Sequence, residues 1–149
     1  MDEAEKLAKD EAQPLVNAAA DCTNAVLPLL AGGANINGRS NRTFGWTPLI
    51  SAIYHHKREV AGLLIAYGAD LNISDAAGDT PLFWTIRVWA DNTNLIQQLV
   101  SSGANPLIRN RDGSDAFDIA HSRPNPEEIL PILRTYRHRD NAAPHGGTR

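Results

Sequence analysis

The sequence predicts an all-α solenoid of about four helix-turn-helix units, with loops or short hairpins protruding between the units. Two short phrases recur along the 149 residues and support this prediction. Gly-Trp-Thr-Pro-Leu at residues 45–49 returns 33 residues later as Gly-Asp-Thr-Pro-Leu at 78–82, and a Gly-Ala phrase begins at residues 33, 68 and 103. Repetition at this period is typical of chains in which similar units stack into an elongated array.

The first helix of a unit is clearest after residue 46. Thr47 is a good N-cap, because its hydroxyl can accept a hydrogen bond from a free backbone N–H of the first turn. Pro48 follows at a position where a missing N–H costs nothing. Apolar residues then recur at helical spacing until the polar stretch at 55–57 interrupts the pattern: Leu49, Ala52 and Ile53.

The second helix of the unit has its own apolar stripe, formed by Val60, Ala61, Leu63, Leu64 and Ile65. Gly68 follows the stripe and is a typical helix-ending residue. One such pair of helices cannot bury its own apolar faces, so neighbouring units have to stack. We count four units, at about 13–44, 45–77, 78–112 and 113–136.

The Thr-Pro-Leu phrases at 47–49 and 80–82, in phase with the Gly-Ala phrases, closely resemble the ankyrin repeat family. The resemblance implies an ankyrin-repeat solenoid across 13–136 whose concave face binds another protein without catalysis. Two departures stand directly after the Thr-Pro-Leu phrases. There Ile50 and Phe83 replace the family's usual histidine, so the hydrogen bonds of that histidine are missing.

The outer units depart further and are expected to act as caps. Pro28 falls inside a helix of the first unit and should kink or shorten it. Ala116 replaces the expected proline in the fourth unit, whose last helix we place at 127–136, with Pro131 inside it. Residues 1–12 form an acidic segment, expected to extend the first unit as a helix. Residues 137–149, with Pro144 and two glycines, are expected to be a flexible basic tail.

The resemblance also implies which positions line the concave face, namely the protruding loops and the exposed side of each first helix. Aromatic residues and arginine, which are enriched where interface energy concentrates, dominate these positions. Two insertions lie beside them, in the loop at 38–44 and in the turn at 87–94. The predicted partner-binding residues are Arg42, Phe44, Trp46, Tyr54, His55, Arg87, Trp89 and Arg111.

Two interpretations stay open for Trp46 and Tyr54, because a large ring brings apolar area whether it packs on a neighbouring unit or faces a partner. Phe83, Trp84 and Phe117 fall at core-facing positions, and we expect them to serve in packing.

No catalytic or metal site is predicted. The five histidines match no zinc spacing, and no glycine-rich phosphate loop or nucleophile motif occurs. Cys22 is the only cysteine, so no internal disulfide can form. The N-terminus is acidic and no apolar run is long enough for a membrane span, so we expect a cytoplasmic protein. We also expect it to be non-enzymatic, to use no cofactor or small-molecule substrate, and to be monomeric on its own.

Two other functions compete with general protein binding. A specific inhibitor, such as an antitoxin or immunity protein, would fit the compact size, but tight inhibitors usually carry a strongly charged face. Single-stranded nucleic-acid binding would use the aromatic residues for stacking and the arginines for phosphates. The net charge of −3 is too small for the strongly charged face of such an inhibitor, and its negative sign disfavours binding to phosphates.

Overall fold

The computed structural model describes residues 12–21, 23–40, 44–89 and 93–142. Within these ranges the chain forms eight helices and no strand. The helices are α1 (Ala12–Asp21), α2 (Thr23–Ala31), α3 (Pro48–Tyr54), α4 (Arg58–Ala66), α5 (Pro81–Val88), α6 (Thr93–Ser101), α7 (Ala116–His121) and α8 (Pro126–Ala142). None of the helices in the described ranges has the length and apolar character needed to cross a membrane.

The eight helices pack as two layers. The first helix of each pair stacks on the first helix of the next, so that α1, α3, α5 and α7 form one layer, which we call the inner layer; the layer of second helices is the outer layer. The second helices α2, α4, α6 and α8 contact one another in the same order and form the other layer. This arrangement confirms the all-α repeat solenoid expected from the sequence.

Between the layers lies a continuous apolar core, because each helix directs its apolar stripe toward a neighbouring pair. The stripe residues Ile53, Val60 and Leu64 are fully buried, as their helical spacing predicts. Ile50 and Phe83, which stand in place of the family's histidine, are also completely buried. Buried apolar side chains therefore stand at the positions of that histidine.

Each of the three later inner helices begins with a side-chain cap. Thr47 and Thr80 accept hydrogen bonds from the N–H groups of Ile50 and Phe83, at 3.3 and 3.5 Å. These caps confirm the N-cap predicted at Thr47. In α7, where Ala116 replaces proline, Asp115 caps the helix instead, and the side chain of Asp118 accepts a hydrogen bond from the Asp115 N–H at 3.0 Å. This reciprocal capping box satisfies two otherwise free N–H groups.

The loops between the pairs form short hairpins that protrude from the inner layer. Their closing hydrogen bonds run from the N–H of Ser40, Asp75 and Asn110 to the carbonyls of Trp46, Asp79 and Ser114, respectively. The first closing bond thus spans seven residues and the other two span five, so the two extra residues expected in the loop at 38–44 lie between Ser40 and Trp46.

Adjacent hairpins are also joined to each other. The N–H of Ala76 donates to Phe44 O at 2.9 Å, and the N–H of Arg111 donates to Ala77 O at 3.0 Å. These bonds hold three successive loops side by side.

Two helices differ from the sequence expectation. Helix α2 keeps nine residues although Pro28 lies inside it, the same length as α4 and α6, so the proline does not shorten it. Helix α8 continues to Ala142 rather than ending at Tyr136. No glycine or proline follows Pro131 until Pro144, so nothing in the intervening sequence stops the helix. The acidic segment at 1–11, Cys22 and residues 143–149 lie outside the described residues.

Trp89, which the sequence places on the binding face, is packed into the core instead. It is 7% exposed, and its indole Nε1–H donates to Ile53 O of the preceding unit at 2.9 Å. His56 stacks on the indole with ring centroids 5.6 Å apart and planes 6° apart, and the guanidinium of Arg58 lies 5.5 Å from the ring centroid. Trp89 therefore covers the turn between α3 and α4 and joins two successive units.

We expect Trp89→Ala to lower the free energy of unfolding by about 3–5 kcal/mol, because it removes a buried ring together with the hydrogen bond from its indole to the Ile53 carbonyl. Chemical denaturation measures this loss. Tyr67→Ala is the control, since Tyr67 is 57% exposed, and it should change stability by less than about 1 kcal/mol. Equal effects of the two substitutions would contradict a packing role for Trp89.

Gly78 and Gly113 form a matched pair for testing the contact between hairpins. Their φ angles are +81° and +79°, so a side chain at either position meets the same backbone strain. A Cβ at Gly78 would lie 2.9 Å from the Cα of Asn110 in the next hairpin, whereas a Cβ at Gly113 would meet nothing within 4 Å.

We therefore expect Gly113→Ala to cost about 1 kcal/mol of unfolding free energy, as a positive φ alone does, and Gly78→Ala to cost at least about 1 kcal/mol more. Urea denaturation of the two variants side by side measures the difference. Equal losses would mean that the two hairpins separate freely to admit the methyl group.

Candidate functional site

A groove of about 680 Å³ opens on the inner face of the solenoid, between the protruding hairpins and the helices α3 and α5. We call it the aromatic groove. The hairpins and helices of three successive units contribute to its walls. Its lining consists of Phe44, Trp46, Tyr54, Asp75, Ala76, Ala77, Asp79, Trp84, Arg111 and Asp112.

Three rings, Trp46, Tyr54 and Trp84, form a cluster at the floor of the groove. Their centroids are 4.7 Å apart for Trp46 and Tyr54, 5.6 Å for Trp46 and Trp84, and 5.4 Å for Tyr54 and Trp84. The interplanar angles of 46°, 72° and 86° are tilted or edge-on, the arrangements that aromatic quadrupoles favour. Packing across two units thus fixes the orientation of all three rings.

The ring cluster is only partly covered. Trp46 is 9% exposed, while Tyr54 keeps 43% of its surface accessible and Trp84 is half-buried. His55 adds an edge-on contact 5.1 Å from Tyr54, and its Nδ1 lies 2.9 Å from Ser51 O. Parts of the Tyr54 and Trp84 rings are therefore accessible from the groove, whereas Trp46 is buried.

Phe44 stands at the rim of the groove in an unusual conformation. Its side chain is 78% exposed, and its φ of +52° lies in the left-handed region, which residues other than glycine, asparagine and aspartate rarely adopt. Its carbonyl accepts the hydrogen bond from Ala76 N–H, which ties it to the next hairpin. A large apolar ring is thus held in solvent by a strained backbone, which costs of the order of 1–2 kcal/mol.

Hydrogen bonds hold the carboxylates beside the ring cluster in place. Asp75 Oδ1 accepts the N–H groups of Ala77 and Asp79, and Asp75 Oδ2 accepts the indole Nε1–H of Trp84 at 3.0 Å. Asp79 accepts a hydrogen bond from the Asn110 side-chain amide at 2.9 Å. The hairpins and the ring of Trp84 therefore share one polar network.

The other oxygen of Asp79 pairs with Arg87 at 2.6 Å. The guanidinium of Arg87 also lies 5.7 Å from the ring centroid of Trp84. The remaining charges, Arg111 and Asp112, are exposed on the third hairpin. Including Arg87, the groove and its edge carry three carboxylates and two guanidinium groups.

Six of the eight predicted partner-binding residues lie in or beside the aromatic groove. Phe44, Trp46, Tyr54 and Arg111 line it, while His55 and Arg87 contact the ring cluster. Trp89 lies in the core, and Arg42 lies outside the described residues. Of the two interpretations open for Trp46 and Tyr54, Trp46 is mainly packed and Tyr54 is half-accessible.

Trp84 is the groove residue that sequence reasoning missed. We expected it to serve in packing with Phe83 and Phe117, and it does pack against the core as Phe117 does, but it also lines the groove. The aligned position in the preceding unit, 33 residues earlier, is Ser51, which is buried and donates to Val16 O. The later unit thus places a half-buried indole where the earlier unit has a small buried side chain. A small residue aligned with a tryptophan was the available signal.

The geometry of the groove offers surfaces for binding. Among the described residues no group of three or more potential metal ligands is found. The carboxylates of the groove are engaged in holding its walls, and the rings supply apolar area and electron-rich faces. Such a site can bind a ligand that combines apolar contact with polar or cationic groups.

Comparison with known proteins agrees with this architecture. The chain is 29% identical to a mitochondrial disaggregase of Bos taurus, in an alignment covering 79% of this chain and 22% of that protein. It is 27% identical to an ankyrin repeat-containing protein of Schizosaccharomyces pombe, covering 76% of this chain and 52% of the other. It is 35% identical to a palmitoyltransferase of Homo sapiens over 81 residues, 53% of this chain and 12% of the enzyme. The chain thus spans no more than about half the length of these relatives.

A family model of ankyrin repeats, in three copies, matches residues 15–110, which is more than half of the chain. Ankyrin repeats are generally modules for protein–protein interaction and are typically not catalytic themselves. The stacked pairs, the capped Thr-Pro-Leu helices and the protruding hairpins agree with that match. On this evidence the chain belongs to the ankyrin repeat family.

Proposed function

We propose that this protein is a non-catalytic interaction module that binds a partner protein in the aromatic groove. The observation that carries the proposal is Phe44, an exposed ring held at positive φ beside the partly accessible ring cluster. Exposed aromatic residues around a packed centre are typical of the few positions that dominate an interface. In this proposal the protein acts on its partner by occupying the partner's surface, and so blocks, tethers or stabilises it.

Preorganisation supports the same proposal. The rings pack against each other, Asp75 and Asp79 fix the hairpins, and the hairpins bond to one another. A partner therefore meets a surface that is already ordered, so binding loses less conformational freedom than it would on flexible loops.

The charges of the groove favour a protein partner over single-stranded nucleic acid. Asp75, Asp79 and Asp112 lie among the groove-lining residues, where a phosphate backbone would be repelled. Arg87, which the nucleic-acid hypothesis needs for phosphates, is already paired with Asp79. A fluorescent oligonucleotide titrated at low and high salt tests the alternative, because phosphate binding weakens steeply with salt.

The substitution Phe44→Asn separates binding from stability. Asparagine tolerates positive φ, so the variant should fold at least as stably as the wild type while losing the ring. We expect partner affinity to fall by about 2 kcal/mol, roughly thirtyfold. The measurement is capture of partners from an extract of the source organism, followed by titration calorimetry with the partner identified.

Tyr67→Asn is the matched control, since Tyr67 is an exposed ring at the end of α4 and does not line the groove. It should bind the partner as the wild type does. Normal binding by Phe44→Asn, with loss of binding in Tyr67→Asn, would move the site to the outer layer and contradict the proposal.

A further inference from the structure

Building on the proposed function, we propose that the aromatic groove takes a cationic side chain, lysine or arginine, from a basic segment of the partner protein. The inference concerns the chemistry of the occupant and goes beyond the location of the site. Its basis is the combination of ring faces and carboxylates in one groove.

Beside the groove, a cation of the same chain already lies between a ring and a carboxylate. The guanidinium of Arg87 lies 5.7 Å from the centroid of Trp84 and 2.6 Å from a carboxylate oxygen of Asp79. A ring face on one side and a carboxylate on the other form the environment in which a desolvated cation is stabilised. The Trp84 ring and the Asp79 carboxylate, which both line the groove, therefore form surroundings that suit a guanidinium.

In the preceding unit, aromatic residues occupy the two positions that correspond to Asp79 and Arg87. Counting back 33 residues, Asp79 aligns with Trp46 and Arg87 aligns with Tyr54. The ion pair of one unit is thus a ring pair in the other, with centroids 4.7 Å apart, and Trp84 contacts both pairs. Tyr54 is 43% exposed, so a cation supplied from outside can lie against its ring.

Charge around the rings points in the same direction. Asp75 and Asp79 are 5% exposed and lie behind the ring cluster in a poorly hydrated wall, where fields act over a longer range than in water. Arg87 balances the charge of Asp79, so the net negative charge of this wall comes from Asp75. Asp112 is exposed on the third hairpin and lines the same groove, so it can pair with the incoming cation. Arg111 is the one cation among the lining residues.

The size of the groove fits this occupant. About 680 Å³ holds a long side chain together with the backbone on either side of it, and the opening faces solvent. Phe44 at the rim can then cover the apolar stem of a lysine or arginine, since such stems pack on apolar surface while the charged head stays polar. The partner segment is therefore expected to be basic and locally extended.

Capped pentapeptides with glycines around a central arginine, citrulline or leucine test the inference directly. Citrulline keeps the shape of arginine without its charge. The measurement follows the three indole N–H signals of ¹⁵N-labelled protein during titration, because Trp46 and Trp84 lie in the groove and Trp89 lies in the core. Trp89 thus serves as an internal reference.

We expect the arginine peptide to shift the signals of Trp46 and Trp84 but leave that of Trp89 unchanged. Its affinity should exceed that of the citrulline peptide by about three- to thirtyfold, the range of a cation–π contact, and should weaken with added salt. Asp112→Asn should reduce arginine binding about two- to fivefold. Glu127→Gln, which removes an exposed carboxylate from α8, should leave it unchanged.

Each contrary outcome has a definite meaning. Equal affinity for the arginine, citrulline and leucine peptides, or no response to arginine, overturns the cation preference. If Phe44→Asn still loses the captured partner in that case, protein binding in the groove stands without it. If the arginine peptide moves only the Trp89 signal, the inference is wrong, and the capture experiment with Phe44→Asn independently decides the proposed function.

Discussion

The rest of the structure depends on one constraint, which is that a pair of short helices cannot cover its own apolar faces. Helices of six to ten residues, such as α1 to α7, are marginal alone in water, so their stability comes from stacking on the next pair. Ile50 and Phe83 of the inner helices are fully buried, and the hydroxyl of Ser51 donates a hydrogen bond to the carbonyl of Val16 in α1. Because stacking fixes the spacing of the units, the hairpins also project at regular intervals.

The regular spacing turns the hairpins into a binding surface, and a small set of polar residues maintains it. Asp75 and Asn110 occupy equivalent positions, and each accepts two backbone N–H groups of its own hairpin. Asp79 then joins the two hairpins through the amide of Asn110. These buried polar groups have their partners, as buried groups require, and their hydrogen bonds hold Trp84 at the groove. Loop shape and ring position are therefore coupled.

Much of the fold could be predicted from the sequence because periodicity reports helix faces directly. The caps of Thr47 and Thr80, the buried stripe around Leu64 and the solenoid itself follow from spacing and local chemistry. Side chains whose surroundings come from another unit are harder to predict. Trp84 contacts the rings of Trp46 and Tyr54 in the preceding unit, and Trp89 finds its acceptor, Ile53 O, 36 residues earlier in the chain.

For the candidate site too, the sequence predicts some features and leaves others open. The positions of the groove residues could be predicted from the repeat alignment, since Phe44, Ala77 and Asp112 each precede the glycine of a hairpin and all three line the groove. Their exposure depends on packing that one repeat alone does not reveal.

The order of these positions gives the proposed partner segment a direction. Along the solenoid the residue before the hairpin glycine changes from Phe44 to Ala77 to Asp112, and the buried wall behind it changes from Trp46 to Asp79. One end of the groove is therefore aromatic, and the other is polar, with the carboxylates of Asp79 and Asp112 beside the guanidinium groups of Arg87 and Arg111. A segment that presents an apolar residue to the first unit and a basic residue to the next matches both ends in only one orientation. The strain at Phe44 is consistent with this arrangement, because the longer first hairpin holds its ring at the apolar end of the groove.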